Sequence, residues 1–86
     1  PNPISRLGIS DFNVIVDYAS NIDDLQISIY DIDGRLVSKD DFGTRQQGRV
    51  EEHLGHLLNP NFSSGIYFLH INGDDVIVKQ KFTILK

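Results

Sequence analysis

The segment LQISIYDIDGRLV, residues 25–37, decides how the rest of the chain folds. Its first half alternates apolar and polar side chains, which places Leu25, Ile27 and Ile29 on one face of a β-strand. Its second half, residues 30–37, carries alternating aspartates and a glycine, a pattern shared by calcium-binding loops and tight β-hairpins. The two alternatives are a metal-stabilised loop and a sheet that reverses direction at this glycine.

The calcium-binding alternative fits the segment poorly. With Gly34 at the glycine of an EF-hand loop, Asp31 and Asp33 fall on the third and fifth ligand positions. The first position is then Ile29, which has no oxygen to offer, and the last is Asp40, which is shorter than the usual bidentate glutamate. We therefore expect no metal here and no effect of calcium on stability.

A hairpin explains the same residues with less strain. In a three-residue loop over residues 32–34, Gly34 takes the left-handed conformation and Ile29 pairs with Val37. Asp31 then accepts hydrogen bonds from the amides of the turn. The residues expected to build this turn are Asp31, Asp33, Gly34 and Arg35.

Short apolar segments with a period of two recur along the chain, and no segment sustains helical periodicity. The predicted strands are residues 7–9, 12–18, 25–31, 36–42, 50–54, 66–71 and 76–85. About seven short strands separated by turns are typical of a small antiparallel immunoglobulin-like β-sandwich. We therefore predict an all-β fold over residues 1–86 as a single domain, with no helix longer than about two turns.

A second hairpin is predicted at Asn72 and Gly73, because both residues tolerate the positive φ of a type I′ turn. The pairs expected from a two-residue loop are Leu69 with Val76 and Tyr67 with Val78. The predicted core consists of Val14, Val16, Ile27, Ile29, Val37, Tyr67, Leu69, Val76, Val78 and Phe82. Ile15 is the alternative inward-facing residue to Val14 and Val16.

Composition narrows the classes of protein. Eight Lys and Arg against twelve Asp and Glu give a net charge of −4, which argues against a nucleic-acid binder. The absence of cysteine excludes disulfides and thiolate metal sites. No apolar run approaches the ~20 residues of a transmembrane segment. Since the chain begins at Pro1 and contains no methionine, we expect a piece cut from a larger protein.

Few groups of residues in the sequence suggest a catalytic site or a metal site. The histidines are His53, His56 and His70, and the first two are three apart, which in a strand sends them to opposite faces. Acidic pairs occur at residues 23–24, 40–41, 51–52 and 74–75. Adjacent strand residues point in opposite directions, so these pairs do not predict the facing carboxylates of a glycosidase. No G-x-S-x-G nucleophile elbow is present, and we expect neither catalysis nor a cofactor.

Three motifs occur in a specific order. The chain opens with PNP (residues 1–3), continues with IYDIDGRLV (29–37) and then SGIYFL (64–69), and closes with KQKF (79–82) and Lys86. In this order and spacing the chain resembles the C-terminal sorting domains (type A) of proteins exported by the type IX secretion system of Gram-negative bacteria. The resemblance spans essentially the whole sequence.

The resemblance implies a non-catalytic export signal. Such a domain is a small seven-stranded sandwich attached behind a cargo protein, and an outer-membrane translocon recognises it. A sortase-like peptidase then removes the domain, so it passes through the periplasm while the cargo reaches the cell surface or the medium. The family places the signal in the last two strands, and the residues expected to meet the translocon are Gly65, Ile66, Tyr67, Lys79, Lys81 and Lys86.

Two other functions compete with this one. An immunoglobulin-like accessory module of a secreted hydrolase, acting as a spacer or a weak carbohydrate binder, would show the same strand pattern. A calcium-stabilised adhesion module would draw on the acidic loops. Attaching residues 1–86 to a reporter protein and testing for export separates the sorting signal from both alternatives.

Overall fold

Alternating apolar residues form six strands of six to ten residues in two antiparallel sheets. The computed structural model describes residues 4–5 and 12–85. A seventh, two-residue strand pairs in parallel with the end of the last one. The strands are β1 (Ile4–Ser5), β2 (Asn13–Tyr18), β3 (Ile22–Asp31), β4 (Leu36–Arg45), β5 (Gly48–His53), β6 (Gly65–Asn72) and β7 (Val76–Leu85).

The larger sheet has the strand order β1-β7-β6-β3-β4, and β2 pairs with β5 in the smaller sheet. One 3-10 turn, Gly55–Leu57, interrupts the strands, and the described ranges contain no α-helix. The prediction of an all-β fold is confirmed. The strand predicted at residues 7–9 lies outside the described residues, and the other predicted strands agree with the structure to within a few residues at each end.

The core lies between the two sheets and follows the predicted alternation. Leu25, Ile27 and Ile29 are completely buried on one face of β3. On β2 the side chain of Ile15 is 62% exposed, so Val14 and Val16 face inward as predicted. Of the other predicted core residues, Tyr67, Leu69 and Phe82 are buried and Val37 and Val78 are partly buried against the core.

Part of the core was not predicted from the sequence. Leu54, Leu57 and Leu58 are buried around the 3-10 turn, where residues 55–58 show no strand alternation. The turn is closed by a hydrogen bond from the amide of Leu57 to the carbonyl of Leu54 at 3.0 Å. The segment therefore closes the core with a short helical turn rather than with a strand.

The second hairpin differs from its prediction. Its loop has three residues, 73–75, and Tyr67 pairs with Phe82, four residues beyond Val78. The predicted pairs of Tyr67 with Val78 and of Leu69 with Val76 are therefore wrong, and Leu69 pairs with Gln80. A four-residue shift preserves the alternation of faces, and it brings the Phe82 ring to 5.9 Å from that of Tyr67 in the core. Val76 is carried to the sheet end, where it is 53% exposed and does not join the core.

Glycine is required at position 73 of this loop because a larger residue would not fit. Its φ is not positive, and no non-glycine residue in the described part of the chain has positive φ, so the predicted type I′ turn at Asn72 and Gly73 is absent. A Cβ atom on Gly73 would lie 2.9 Å from a methyl carbon of Ile22. The loop closes through a hydrogen bond from the Gly73 amide to the Asp75 carbonyl at 2.9 Å.

The first hairpin confirms the predicted loop but not the full register. Gly34 has φ of 84°, and the Asp31 amide donates to the Arg35 carbonyl at 2.9 Å, which closes a three-residue loop. Ile29 pairs with Ser38 rather than with Val37. A register shift in the ladder next to Ile29 inserts one extra residue into β4 and displaces the pairing by one position.

A buried ionic cluster joins the two sheets. Arg45 of β4 donates two hydrogen bonds to the Glu52 carboxylate of β5, at 2.7 and 2.9 Å, and the Tyr18 hydroxyl of β2 donates a third. Glu52 is only 3% exposed. Burial raises the pKa of Glu52, but the hydrogen bonds from Arg45 and Tyr18 outweigh burial and leave the pKa below its ordinary value. The carboxylate therefore stays ionised as an electrostatic link between the sheets.

Candidate recognition surface

The acidic hairpin turn is held together by its own carboxylate. One Asp31 oxygen accepts from the amides of Asp33 and Arg35 at 2.9 and 3.0 Å, as predicted. The other accepts from the Arg35 guanidinium at 2.8 Å. These bonds, led by the one from the Arg35 amide, lower the pKa of Asp31 below its ordinary value. Both oxygens of Asp31 thus bind groups of the turn itself.

The turn lines an open cleft at one end of the larger sheet. Here β3 ends at Asp31, opposite Tyr67, while β6 begins two residues earlier, at Gly65. The cleft has a volume of about 400 Å³. Its walls include Ile32, Asp33 and Arg35 on one side and Phe62, Gly65 and Ile66 on the other. The motifs at residues 29–37 and 64–69, which are far apart in the sequence, therefore face a common space.

A row of aromatic rings anchors the wall formed by β6. The Tyr67 hydroxyl donates to the Ser63 carbonyl at 2.9 Å, and the Phe62 ring stacks on Tyr67 at 5.3 Å. Beneath them, the rings of Tyr67 and Phe82 and then those of Phe82 and Phe12 are 5.9 and 4.9 Å apart. Tyr67 thus supports the cleft from within the core, where it is 6% exposed.

The last strand has one largely open edge. Strand β7 pairs with β6 along its length, whereas on its other side the described chain provides only β1, at Ile84 and Leu85. On that side the described residues offer no strand partner between Val76 and Thr83. Gln80 lies on the core-facing side of this strand but is exposed.

The residues predicted to meet the translocon do not form one cluster. Ile66, Lys79 and Lys81 lie on the outer face of the larger sheet, with Ile66 half-buried and both lysines exposed. Tyr67 points into the core, and Gly65 lines the cleft. Lys86 lies outside the described residues. The structure therefore divides the predicted set between the cleft and the outer face.

The histidines lie in separate environments. His53 is within 2.9 Å of Asn13, and His56 is within 3.0 Å of Asp40. The His70 ring lies 4.6 Å from that of Tyr30, and burial together with the charge of Lys79 lowers the pKa of His70. Within residues 4–5 and 12–85, no three His, Cys, Asp or Glu side chains are arranged to hold a metal ion. The same residues contain no helix that is long and apolar enough to cross a membrane.

Two of the sequence motifs meet at an open cleft of this small β-sheet protein, and its last strand has an open edge; both are features that binding modules use. Comparison with known protein families gives the specific assignment. The profile of the secretion system C-terminal sorting domain family matches residues 1–85, and the chain belongs to this family. It is the C-terminal sorting signal domain of the type IX (Por) secretion system, a non-catalytic domain carried by secreted or cell-surface cargo. No curated protein and no solved structure gave a significant match.

Proposed function

We propose that this domain directs its cargo across the outer membrane by binding the translocon with its folded surface, and that a sortase-like peptidase then removes it. Residues 1–86 act as one immunoglobulin-like domain, which passes through the periplasm before cargo reaches the surface. The family match over residues 1–85 is the observation that carries the proposal. The proposed recognition residues are Gly65, Ile66, Lys79, Lys81 and Lys86, together with Tyr67, which is buried and acts by holding the wall of the cleft in place.

The sheet edge supports a role for β7 in this recognition. A strand with one open side presents backbone N–H and C=O groups that a partner strand can pair with. In the described part of the chain, β7 has such a side from Val76 to Thr83. Lys79 and Lys81 flank this edge, and such exposed charges also discourage unwanted pairing between copies of the domain.

The experiment is an export assay. A fluorescent reporter with a periplasmic signal peptide is joined to residues 1–86 and expressed in a host that has the secretion system. We expect surface or medium fluorescence with the fusion, and periplasmic retention for the reporter alone and for the fusion in a translocon-deficient strain. Retention of the fusion in the periplasm of the intact host would contradict the proposal and favour an accessory module, provided that resistance to protease shows the domain to be folded.

Truncation is a poor test of the signal, since it also destabilises the fold. Deleting residues 82–86 removes Phe82 and Ile84, both 2% exposed. Substitutions at exposed positions avoid this problem, because they usually change stability by less than about 0.5 kcal/mol.

A further inference from the structure

Side chains on the outer face of the larger sheet form two rows that cross four strands. In one row, Leu36, Tyr30, Phe68 and Lys81 are register neighbours on β4, β3, β6 and β7. In the adjacent row, the neighbours are Lys39, Ser28, His70 and Lys79. We call the surface formed by Leu36, Tyr30, Phe68, Lys39, Lys79 and Lys81 the lysine face.

The lysine face has the aromatic side chains of Tyr30 and Phe68 at its centre, beside Ser28 and His70, and lysines on both sides. Tyr30 and Phe68 are half-buried, and Leu36 is 53% exposed. Lys39 lies on the β4 side, while Lys79 and Lys81 lie on the β7 side, all three exposed. Aromatic side chains bordered by charge are typical of a protein-binding surface.

In the described part of the chain, the arginines form ion pairs and the lysines do not. Each described arginine is paired with a carboxylate: Arg35 with Asp31, Arg45 with Glu52 and Arg49 with Asp17. The lysines of the described residues are Lys39, Lys79 and Lys81, and none of them forms an ion pair there.

The unpaired cations thus collect on one face of an acidic chain. The net charge of the chain is −4, whereas the lysine face contains three lysines and no carboxylate; Asp41 lies in the next row of the sheet, opposite Gln26, and the exposed Asp24 lies two residues before Gln26 on β3. Such a face attracts a negative partner locally, although the domain as a whole repels one. The unpaired charge is therefore available to an external group.

We propose that the lysine face docks an acidic surface on a protein component of the secretion machinery, one that is apolar at its centre and carries carboxylates at its rim. The inference rests on the proposed export function and identifies the partner chemistry. Aromatic side chains at the centre of an interface provide most of the affinity, and rim charges set encounter rate and orientation. Tyr30 and Phe68 take the first role and the three lysines take the second.

The observations favour a protein over an anionic lipid surface. An extended anionic membrane also meets the acidic groups around the lysine face, and the net charge of −4 reduces the attraction of the domain to it. An acidic patch of limited area meets only the lysine face. The side chains of Tyr30 and Phe68 are also half-buried rather than fully exposed, as membrane-inserting side chains are.

The first test compares two variants of the reporter fusion that have the same net charge. The lysine variant combines Lys39→Gln, Lys79→Gln and Lys81→Gln, which together lower the net charge from −4 to −7. The control, Ser20→Asp, Gln46→Glu and Gln47→Glu, gives the same −7 at exposed positions off the lysine face. We expect translocon affinity and the exported fraction to fall about tenfold in the lysine variant only, as for the loss of three exposed ion pairs.

The second test locates the contact. A photoreactive amino acid replaces Leu36 on the lysine face or Ile15 on the smaller sheet, positions that are 53% and 62% exposed. We expect Leu36 to give a covalent adduct with a protein of the secretion machinery in export-competent cells, and the three Lys→Gln substitutions to remove it. Adducts from Ile15 alone would place the contact elsewhere and overturn the inference.

Each failure has a distinct signature. If the unsubstituted fusion is not exported, the proposed function fails. If it is exported and the folded lysine variant is exported equally, the proposed function stands and the docking inference fails. A third experiment measures binding of the isolated domain to vesicles of phosphatidylcholine and phosphatidylglycerol. Binding that the three Lys→Gln substitutions remove would overturn the inference of a protein partner and favour a lipid one.

Discussion

The ionic cluster between the two sheets provides a sharp test of what stabilises this domain. Arg45→Met keeps much of the aliphatic bulk of the side chain but leaves Glu52, 3% exposed, with only the Tyr18 hydroxyl as a side-chain donor. Removing one partner of a buried ion pair costs about 3–5 kcal/mol. Arg45 is itself 22% exposed, so we expect a loss of about 3 kcal/mol, at the lower end of that range.

This loss is a large share of the stability of the domain. At roughly 0.05–0.15 kcal/mol per residue, a chain of 86 residues unfolds at a cost of about 4–13 kcal/mol. With a urea m-value of about 1 kcal/mol per molar, the expected loss lowers the unfolding midpoint by about 3 M. The measurement is equilibrium urea unfolding followed by circular dichroism.

Arg49→Met is the matched control. Arg49 also pairs with a carboxylate across β2 and β5, that of Asp17 at 3.0 Å, but both side chains are about 70% exposed. We expect no resolvable change in the midpoint for this variant, since solvent screens exposed pairs. Equal losses for Arg45→Met and Arg49→Met would refute the view that burial makes the Arg45 pair important.

The pH dependence of the free energy of unfolding provides an independent test that the buried Arg45–Glu52 pair causes the loss. In the native domain the pKa of Glu52 lies below its ordinary value of 4.5, so its contribution is present above pH 4.5 and is lost as the pH falls through the folded pKa. In Arg45→Met, burial dominates and raises the pKa of Glu52, so protonation stabilises that variant. The stability gap should narrow as the pH falls toward 4.5, where the variant gains stability, and narrow further below 4.5, where the native domain loses it; Glu52→Gln added to Arg45→Met should recover part of the loss at pH 7. A gap that is constant with pH would show that the loss comes from packing alone.

Other predictions concern the hairpins. Gly34→Ala should destabilise the domain by about 1–2 kcal/mol through its φ of 84° alone, since no atom lies within 4 Å of the added Cβ. Gly73→Ala should also destabilise it, but through contact with the Cγ2 and Cδ1 atoms of Ile22, so in urea unfolding the cost of Gly73→Ala should shrink in an Ile22→Ala background and the cost of Gly34→Ala should not. Asp31 should titrate below its ordinary pKa of 3.8 by carbon-detected NMR, and the turn it closes should loosen as the pH falls through this lowered pKa. Millimolar calcium should leave the melting temperature unchanged, and a rise of several degrees would restore the calcium-loop alternative.

The candidate site was predictable from the sequence to different degrees in its different parts. The Asp31–Gly34 turn was predicted in detail because its bonds are local: the acceptor, the amides and the left-handed glycine lie within five residues of one another. The cleft was not predicted, since it depends on β3 ending beside the start of β6. The register error at Asn72 and Gly73 has a related cause, because the packing of Phe82 against Tyr67 and Phe12 is preferred over a favourable local turn.

By itself, the sequence determined the all-β class, the strand positions, the inward face of most strands and the family. These depend on the period of apolar side chains and on the order of the motifs, both of which are properties of the sequence alone. Only the tertiary structure decided the register of the last hairpin, the burial of Glu52, the open edge of β7 and the gathering of three lysines on one face. Each of these depends on which distant strand lies alongside, and period-two alternation is the same for every register that differs by an even number of residues.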